Sequence, residues 1–388
     1  MGRHIAANAL TFLIVALFLA GGVISWGVAQ WSAPGPLTQA ICVQVPSGSN
    51  FRTLIDDLEQ QGAISSATIH RMGVDYAEKA GDLKAGSYLV PEASSMQEIT
   101  DIVTRGGAST CGTEVVYQVG IARTQTVVRE LDPATNRFVE VAKFDPATEE
   151  TPEDYTRVRA EADTRYRIAV AEGLTSWQVV QALNAIEILD GDVTDIPPEG
   201  MLAPDSYEVR PGDAIVPLIE EMTDRQVETL SDAWANRAED LPYASADEAL
   251  IMASIVEKET GVAEERAQVA SVFVNRLRQG MRLQTDPTVI YGVTNGQGVL
   301  GRGLRQSELR RETPYNTYVI DGMPPTPIAN PGRAAIEAAL NPAETDFIFF
   351  VADGTGGHAF AVTLEEHNRN VARWREIEAE RAAESDGG

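Results

Sequence analysis

Cysteine and histidine are scarce in this chain of 388 residues, which contains two cysteines and four histidines. Two thiols are too few for a disulfide scaffold or a cysteine-based metal site. His358 and His367 lack a partner at the spacing of the H-E-x-x-H zinc motif, and the sequence has no G-x-S-x-G or Walker pattern. The sequence therefore predicts no metal site, and no cofactor is expected.

Basic residues are also few, with 31 lysines and arginines against 57 aspartates and glutamates. The formal net charge of −26 argues against nucleic acid or an anionic membrane surface as a partner. It fits a solvated acidic surface equally well, so it says little about the substrate. The length allows about two or three domains.

The sequence has one long apolar run, at residues 9–28. About 20 helical residues cross the ~30 Å hydrocarbon core of a bilayer. Arg3 precedes the run and the next charged residue is Arg52, so the positive-inside rule places residues 1–8 in the cytoplasm and the rest of the chain outside. A cleaved signal peptide, with Gly27-Val28-Ala29 at its cleavage site, is the alternative. The length of the run favours a transmembrane anchor.

Residues 39–112 predict a small α+β module. Its pattern is a strand, two helices, a second strand and a third helix, in that order. Cys42 lies at the entrance of this module and Cys111 at its exit. Outside the cytoplasm these thiols are expected to form a disulfide, and two free buried thiols are the alternative.

Residues 113–165 predict an inserted β-hairpin element, with a turn at Asp132–Asn136, followed by an acidic, mobile linker. A larger α+β domain is expected at 166–376, and a disordered tail at 377–388.

The larger domain is organised around residues 249–261. Ser245 and Glu248 form a capping box that begins a helix, and Gly261 is suited to end it. The helix is apolar nearly all round, as a helix sunk in a core would be, yet Glu257 and Glu259 occupy its last turn. Burial and the negative end of the helix dipole would raise a carboxyl pKa there and favour a general acid. A charged last turn that simply emerges into solvent is the alternative.

Polar and aromatic residues in the following loops are candidates for a binding cleft beside that helix. They are Gln284, Thr285, Asp286, Tyr291, Tyr315, Asn316, Tyr318 and His358. Each also has a structural interpretation, since Thr285-Asp286-Pro287 would suit a helix N-terminus and the residues around Tyr315 could cap turns. A binding module whose aromatic rings stack on a polymer fits the same residues.

Several strings of the C-terminal half resemble those of the YceG-like (MltG) family of endolytic murein transglycosylases. They are Ala253–Thr260, Arg282–Gly292, Thr313–Tyr318, Gly322–Pro325 with Pro327-Ile328, Asn330-Pro331-Gly332, and Phe350–Gly354 running to Gly357-His358. The resemblance also covers the apolar run and the first module, which is LysM-like, a glycan-binding type, in that family. Residues 113–165 and the acidic tail have no recognised counterpart.

The resemblance implies a single-pass inner-membrane α+β protein whose periplasmic part cuts nascent peptidoglycan strands internally, near the peptidoglycan synthases, and so ends glycan elongation. It identifies Glu259 as the catalytic residue, which would cleave the MurNAc–β-1,4–GlcNAc bond and leave a 1,6-anhydro-MurNAc end. The alternatives are a muramidase-type hydrolase and a non-catalytic peptidoglycan-binding assembly factor. A hydrolase needs a second carboxylate about 5–9.5 Å away. Glu257 lies about 200° around the helix from Glu259, which leaves Asp286.

Overall fold

The computed structural model describes residues 2–105, 110–161 and 164–386. The chain divides into two compact units, one formed by Met1–Val116 and Thr126–Tyr166 and the other by Tyr117–Gln125 and Arg167–Gly388. Both units combine helices and strands, so the predicted α+β class is observed.

The first helix, α1, covers Gly2–Ser32, beyond both ends of the predicted run, and Met1 lies outside the described residues. Its Thr11–Ser32 part is long and apolar enough to cross a membrane. Trp31 lies against the bare backbone of Gly73, where a Cβ would come within 2.2 Å of the indole ring. The same indole meets the ring of buried His70 edge-on at 5.4 Å. The end of α1 is therefore packed against the module that follows it.

That module contains β1 (Ile41–Val45), α2 (Phe51–Gln60), α3 (Ala67–Tyr76), β2 (Gly86–Val90) and α4 (Met96–Arg105). Strands β1 and β2 pair antiparallel, with Val43 opposite Tyr88. Asn50 and Ser66 cap α2 and α3 by accepting hydrogen bonds from backbone N–H groups three residues on. The amphipathic helices then bury Ile55, Leu58 and Ile99 in a common core.

Cys42, on β1, and Cys111, after α4, form a disulfide with 5.7 Å between their Cα atoms. The bond closes a loop with a sequence separation of 69 residues. In the chain-entropy model such a loop adds up to roughly 4 kcal/mol of stability by restricting the unfolded chain.

The next segment forms β3 (Thr113–Val119), β4 (Thr124–Asp132), β5 (Arg137–Phe144) and α5 (Glu153–Arg159). The predicted turn joins β4 to β5, where Asp132 pairs with Arg137. The prediction of a mobile acidic linker is wrong for α5, because Tyr155 and Val158 are buried on one face of this helix. The Tyr155 ring packs edge-on against Phe144 at 5.2 Å. Residues 162–163 of the predicted linker lie outside the described residues.

The remaining elements carry the candidate site. They are β6 (Arg165–Val170), α6 (Ser176–Asn184), β7 (Ser206–Val209), α7 (Ile215–Ala235), α8 (Ala246–Glu259), α9 (Arg266–Arg278), α10 (Asp286–Thr294), α11 (Gln306–Leu309), α12 (Arg333–Leu340), β8 (Phe349–Ala352), β9 (His358–Ala361) and α13 (Leu364–Asp386). Strands β3 to β7 form one sheet in the order β5-β4-β3-β6-β7, and β8 pairs antiparallel with β9.

Helix α8 is the centre of the second unit's core, as its apolar composition predicts. Met252, Ala253, Ile255 and Val256 are all fully buried, in a cluster with residues of α7, α9 and α12. The Ser245 hydroxyl caps the helix by accepting from the N–H of Glu248. Its end differs from the prediction, because Thr260 leaves the helix in an extended conformation and Gly261, which the structure describes, has no positive φ.

The C-terminal tail predicted to be disordered at 377–388 is helical as far as Asp386, and residues 387–388 lie outside the described part. Its alanines, glutamates and arginines are good helix formers. The helix is also anchored at its start, where His367 stacks on Phe349 at 5.0 Å. Ile377 approaches Gly354, where a Cβ would lie 2.9 Å from the Ile377 side chain. Propensity and these contacts together explain why the helix continues.

Candidate active site

The last turn of α8 is held by the two charged residues that precede Glu259. The Lys258 amine donates to the carbonyl oxygen of Gly173 at 3.1 Å, and the Glu257 carboxylate accepts from the N–H of Gly332 at 3.1 Å. Burial, followed by the nearby Glu172 carboxylate, raises the pKa of Glu257. The Glu257 side chain therefore contacts the N–H of Gly332, whereas the Glu259 side chain contacts Thr285, in agreement with their predicted separation around the helix.

Thr285 donates its hydroxyl hydrogen bond to Oε1 of Glu259. Thr285 is only 2% exposed and occupies the N-cap position of α10, as predicted, but its hydroxyl makes no cap bond to that helix. Its own N–H donates to Oγ1 of Thr317 at 3.0 Å, and the Thr288 hydroxyl donates to its carbonyl at 2.9 Å. The buried Thr317 and Thr288 thus hold the backbone of Thr285, and this positions its hydroxyl on the Glu259 carboxyl.

Burial raises the pKa of the Glu259 carboxyl, and the carboxylate of Asp286 raises it further. The hydrogen bond from Thr285 and the positive charges of His358 and Arg276 act in the opposite direction. The net shift is upward, so Glu259 keeps its proton to a higher pH than an ordinary glutamate. This is the property that a general acid needs near neutral pH.

Arg276 belongs to this site although sequence reasoning did not select it. Arg276 is buried, with only 8% of its surface exposed. Its Nε donates to the carbonyl of Ile348 at 2.7 Å and its Nη1 to that of Leu283 at 2.5 Å. The available signal was its spacing from Val272 and Phe273, which places Arg276 on the inward face of α9.

Asp286 and Tyr318 are brought together as a pair. The Tyr318 hydroxyl donates to Oδ1 of the exposed Asp286 at 2.7 Å. Burial, followed by the hydrogen bond to Asp286, raises the pKa of Tyr318, which keeps the phenol protonated as a donor. One oxygen of Asp286, the carboxylate that a hydrolase would need besides Glu259, therefore already accepts a hydrogen bond.

Tyr291 and Tyr315 form a separate aromatic pair, with ring centres 4.9 Å apart. The Tyr291 hydroxyl donates to Oε2 of Glu199 at 3.0 Å, while the N–H of Ser176 donates to Oε1 at 2.7 Å. Burial raises the pKa of Glu199. Sequence reasoning missed Glu199 because it lies in the loop between α6 and β7, which carries no recognisable motif.

Asn316 was predicted to bind substrate, and the structure contradicts this role. The residue is completely buried, and its Nδ2 donates to the carbonyls of Glu308, Leu309 and Arg311 at 2.7–3.2 Å. Its Oδ1 accepts from the N–H of Tyr318 at 3.1 Å. Both ends of the amide are thus used to hold the loop before Tyr318.

His358 and Gln284 complete the predicted set. Nδ1 of His358 lies 2.8 Å from Oε2 of Glu265, and the backbone N–H of His358 donates to Oε1 at 2.9 Å. Gln284 is exposed and has a positive φ of 50°, an uncommon conformation for a residue with a Cβ. Its N–H donates to the carbonyl of Thr317 at 3.1 Å. Gln284, with this uncommon backbone conformation, is the residue directly before Thr285.

The second unit therefore places the Glu259 carboxyl, whose pKa is raised, in a site with the hydroxyl of Thr285, the imidazole of His358 and the guanidinium of Arg276. This arrangement is suited to general acid–base catalysis on a polar substrate. The chain belongs to the YceG-like family, whose model matches residues 43–373. The matched range includes residues 113–165, for which sequence reasoning found no counterpart.

Relatives from two species are named "Endolytic murein transglycosylase". The one from Streptococcus pneumoniae strain D39 is 28% identical over 380 residues, which is 95% of this chain and 65% of that protein. The one from Bacillus subtilis strain 168 is 28% identical over 339 residues, or 84% of this chain and 82% of that protein. The chain thus spans less than two thirds of the pneumococcal relative. A crystal structure of a yceG-like protein from Listeria monocytogenes matches with 25% identity and a TM-score of 0.45, over 85% of this chain and 99% of that one.

Proposed function

We propose that this protein is a membrane-anchored, endolytic lytic transglycosylase of peptidoglycan. The observation that carries the proposal is the carboxyl of Glu259, which accepts a hydrogen bond from Thr285 and whose pKa is raised by burial. The relatives named endolytic murein transglycosylases support the choice of substrate and reaction.

In the first half-reaction, protonated Glu259 donates its proton to the oxygen that links C1 of MurNAc to C4 of GlcNAc. The C1–O bond breaks, and the GlcNAc-terminated strand leaves with that proton as a free hydroxyl. Positive charge develops on the MurNAc ring as the bond breaks. The newly ionised Glu259 and the exposed carboxylate of Asp286 are the anionic groups of the site that favour this charge.

In the second half-reaction, the Glu259 carboxylate takes the proton of the C6 hydroxyl of the same MurNAc. The C6 oxygen closes onto C1 and forms the 1,6-anhydro ring. Glu259 ends the cycle protonated, so one carboxyl serves as acid and then as base and no water is consumed. The Thr285 hydrogen bond keeps the carboxyl in one place for both steps.

A muramidase-type hydrolase is the second candidate, because the Asp286 carboxylate is close enough to raise the pKa of Glu259. In that reaction Asp286 would activate a water or attack C1. The hydrogen bond from Tyr318 engages one of its oxygens and weakens Asp286 as a base. This contact favours the lytic reaction over hydrolysis.

The surrounding residues are proposed to bind the glycan. The tilted Tyr291–Tyr315 pair offers aromatic surface against which the apolar face of a sugar ring can pack, and exposed Gln284 offers an amide. Tyr318 and His358 add a phenol and an imidazole to the proposed binding residues. In the first unit, the strand–helix–helix–strand order of the module fits the proposed LysM-like glycan-binding role. Peptidoglycan synthases remain the proposed protein partners.

Membrane anchoring gives a direct prediction. The full-length protein should fractionate with membranes and resist alkaline and high-salt washing, because Thr11–Ser32 is long and apolar enough to span the bilayer. The N-terminus should be protected from externally added protease. Recovery of a soluble mature chain beginning near Gln30 would instead identify the segment as a cleaved signal peptide.

The proposed activity is tested with purified full-length protein and long, defined peptidoglycan strands. An endolytic enzyme should convert long strands to intermediate lengths early in the reaction, with few disaccharide products, as measured by chromatography of the strands. Binding without any turnover would make the protein a peptidoglycan-binding assembly factor. Early release of disaccharides alone would contradict internal cleavage.

A further inference from the structure

Glu265 is a charged residue next to the candidate site that has no role in the mechanism above. It lies in a short 3-10 turn, Ala263–Glu265, between α8 and α9. Its carboxylate binds His358 twice, through the backbone N–H at 2.9 Å and through Nδ1 at 2.8 Å. Both side chains are mostly buried, with 17% of Glu265 and 16% of His358 exposed.

The backbone around His358 is shaped to admit this carboxylate. A Cβ at Gly357 would lie 2.4 Å from Oε1 of Glu265, so an alanine there would force the carboxylate to shift from its observed position. Asp353 holds the same loop by accepting from the N–H of Gly357 at 3.3 Å, while its own N–H donates to the Gly357 carbonyl at 3.0 Å. The loop conformation and the missing side chain together expose the N–H of His358 to Glu265.

The two hydrogen bonds determine which imidazole nitrogen carries a proton. An ionised carboxylate can only accept hydrogen bonds. With Glu265 ionised, both of its oxygens accept, one from the backbone N–H of His358 and the other from Nδ1, which is then protonated. Within the described residues no hydrogen bond to Nε2 of His358 is observed. Nε2 is thus the nitrogen left to meet a ligand, as donor in the imidazolium and as acceptor in the neutral ring.

The ring itself is also held in place. Phe350 meets the imidazole edge-on at 5.2 Å, and Phe360 lies 6.3 Å away. A positive charge on His358 lowers the pKa of Glu259, against the larger effect of burial. An imidazole oriented by aromatic walls and a dedicated carboxylate beside an acid–base residue is typical of a group that contacts substrate.

We propose that Glu265 is a positioning residue, which fixes His358 with Nδ1 protonated and Nε2 available to hydrogen-bond the glycan beside Glu259. This inference rests on the proposed function for the identity of the ligand. The orientation and tautomer of the ring do not depend on it.

The first test is the ¹⁵N NMR spectrum of the His358 imidazole in full-length protein labelled at its four histidines. Wild-type protein should show a protonated Nδ1 throughout the neutral range. In Glu265→Gln, the glutamine oxygen can accept from the backbone N–H only if its NH₂ group faces Nδ1, so Nδ1 should become unprotonated and Nε2 should carry the proton. An unprotonated Nδ1 in wild-type protein would overturn the proposal.

The second test is kinetic and uses two independent ways of breaking the contact. Glu265→Gln and Gly357→Ala should each lower kcat/KM on peptidoglycan strands by about 10- to 100-fold, the usual result of a misplaced catalytic-site group. Glu264→Gln is the matched control, because this neighbouring glutamate is exposed and should retain wild-type kinetics. If Glu265→Gln fails to fold, Gly357→Ala provides the same test without a change of charge.

A double-mutant cycle separates positioning from general stability. If Glu265 acts through His358, Glu265→Gln should cause no further loss of kcat/KM in a His358→Gln background. An undiminished loss in that background, or wild-type kinetics in both single variants, would overturn the proposal. Failure of the proposed function is distinguishable, because wild-type protein would then show no turnover while the NMR spectrum still reports the tautomer.

Discussion

Replacing Glu259 with glutamine should lower turnover on peptidoglycan by about 10²- to 10⁴-fold, the usual contribution of general acid–base catalysis. Glutamine keeps the size of the side chain and can still accept from Thr285, but it has no proton to donate and cannot take one back. Both half-reactions are therefore lost together. Steady-state kinetics on defined strands, combined with a binding assay, measures the effect.

Glu257→Gln is the matched control, since the amide oxygen can still accept from the N–H of Gly332. It should reduce turnover far less than Glu259→Gln. Equal losses in the two variants would mean that the last turn of α8 is merely a structural unit. Full activity in Glu259→Gln would remove this residue from the mechanism.

Glu259→Gln should also change the stability of the fold. Burial raises the folded-state pKa of Glu259 above its unfolded value. The protonated form is thus favoured in the fold, and its stabilising contribution is lost as the pH rises through the folded pKa. Glu259→Gln should consequently unfold at a higher temperature than wild type at neutral pH, and the difference should shrink as the pH falls toward the ordinary glutamate value of about 4.3.

Asn316→Ala should lower the free energy of unfolding by about 2 to 4 kcal/mol, because it leaves buried backbone carbonyls without a donor. The loss follows from complete burial of the amide and not from a contact with glycan. Thermal unfolding or denaturant titration measures it. Activity per folded molecule should fall only to the extent that the loop before Tyr318 is loosened.

Tyr315→Ala is the contrasting variant in the same loop. Tyr315 is partly exposed, packs against the tilted ring of Tyr291 and shares a hydrogen bond with the hydroxyl of Thr326 at 2.8 Å. Its loss should weaken turnover while the midpoint of thermal unfolding changes by only a few degrees. The reverse pattern, with a stable Asn316→Ala and an unfolded Tyr315→Ala, would contradict these assignments.

Much of the fold could be predicted from sequence where local signals and periodicity agreed. Helix α8 is apolar all round and buried, and Ser245 caps it as expected. The β4–β5 turn at Asp132–Asn136 has the predicted residues, including Asn136 with a positive φ of 51°. Composition misled where acidic residues hid a small apolar face, as in α5, whose Tyr155 is buried against Phe144.

The candidate site was only partly predictable for a different reason. Glu259 could be selected because an acid at the end of an apolar helix is unusual in itself. The roles of Arg276, Glu199 and Glu265 could not be predicted, because each of these side chains contacts a partner that is far away in the sequence. Asn316 shows the opposite error. An amide in an aromatic loop suits glycan binding and turn formation equally well, and only burial distinguishes them.

The most direct test of the central claim is the chemistry of the new strand end. In this experiment, wild-type protein digests peptidoglycan in water enriched in oxygen-18, and the products are analysed by mass spectrometry. Because Glu259 transfers the proton of the C6 hydroxyl and no water enters, we expect 1,6-anhydro-MurNAc ends that weigh one water less, resist borohydride reduction and contain no oxygen-18. Reducible ends that carry oxygen-18 would contradict the account and indicate a hydrolase that uses Asp286.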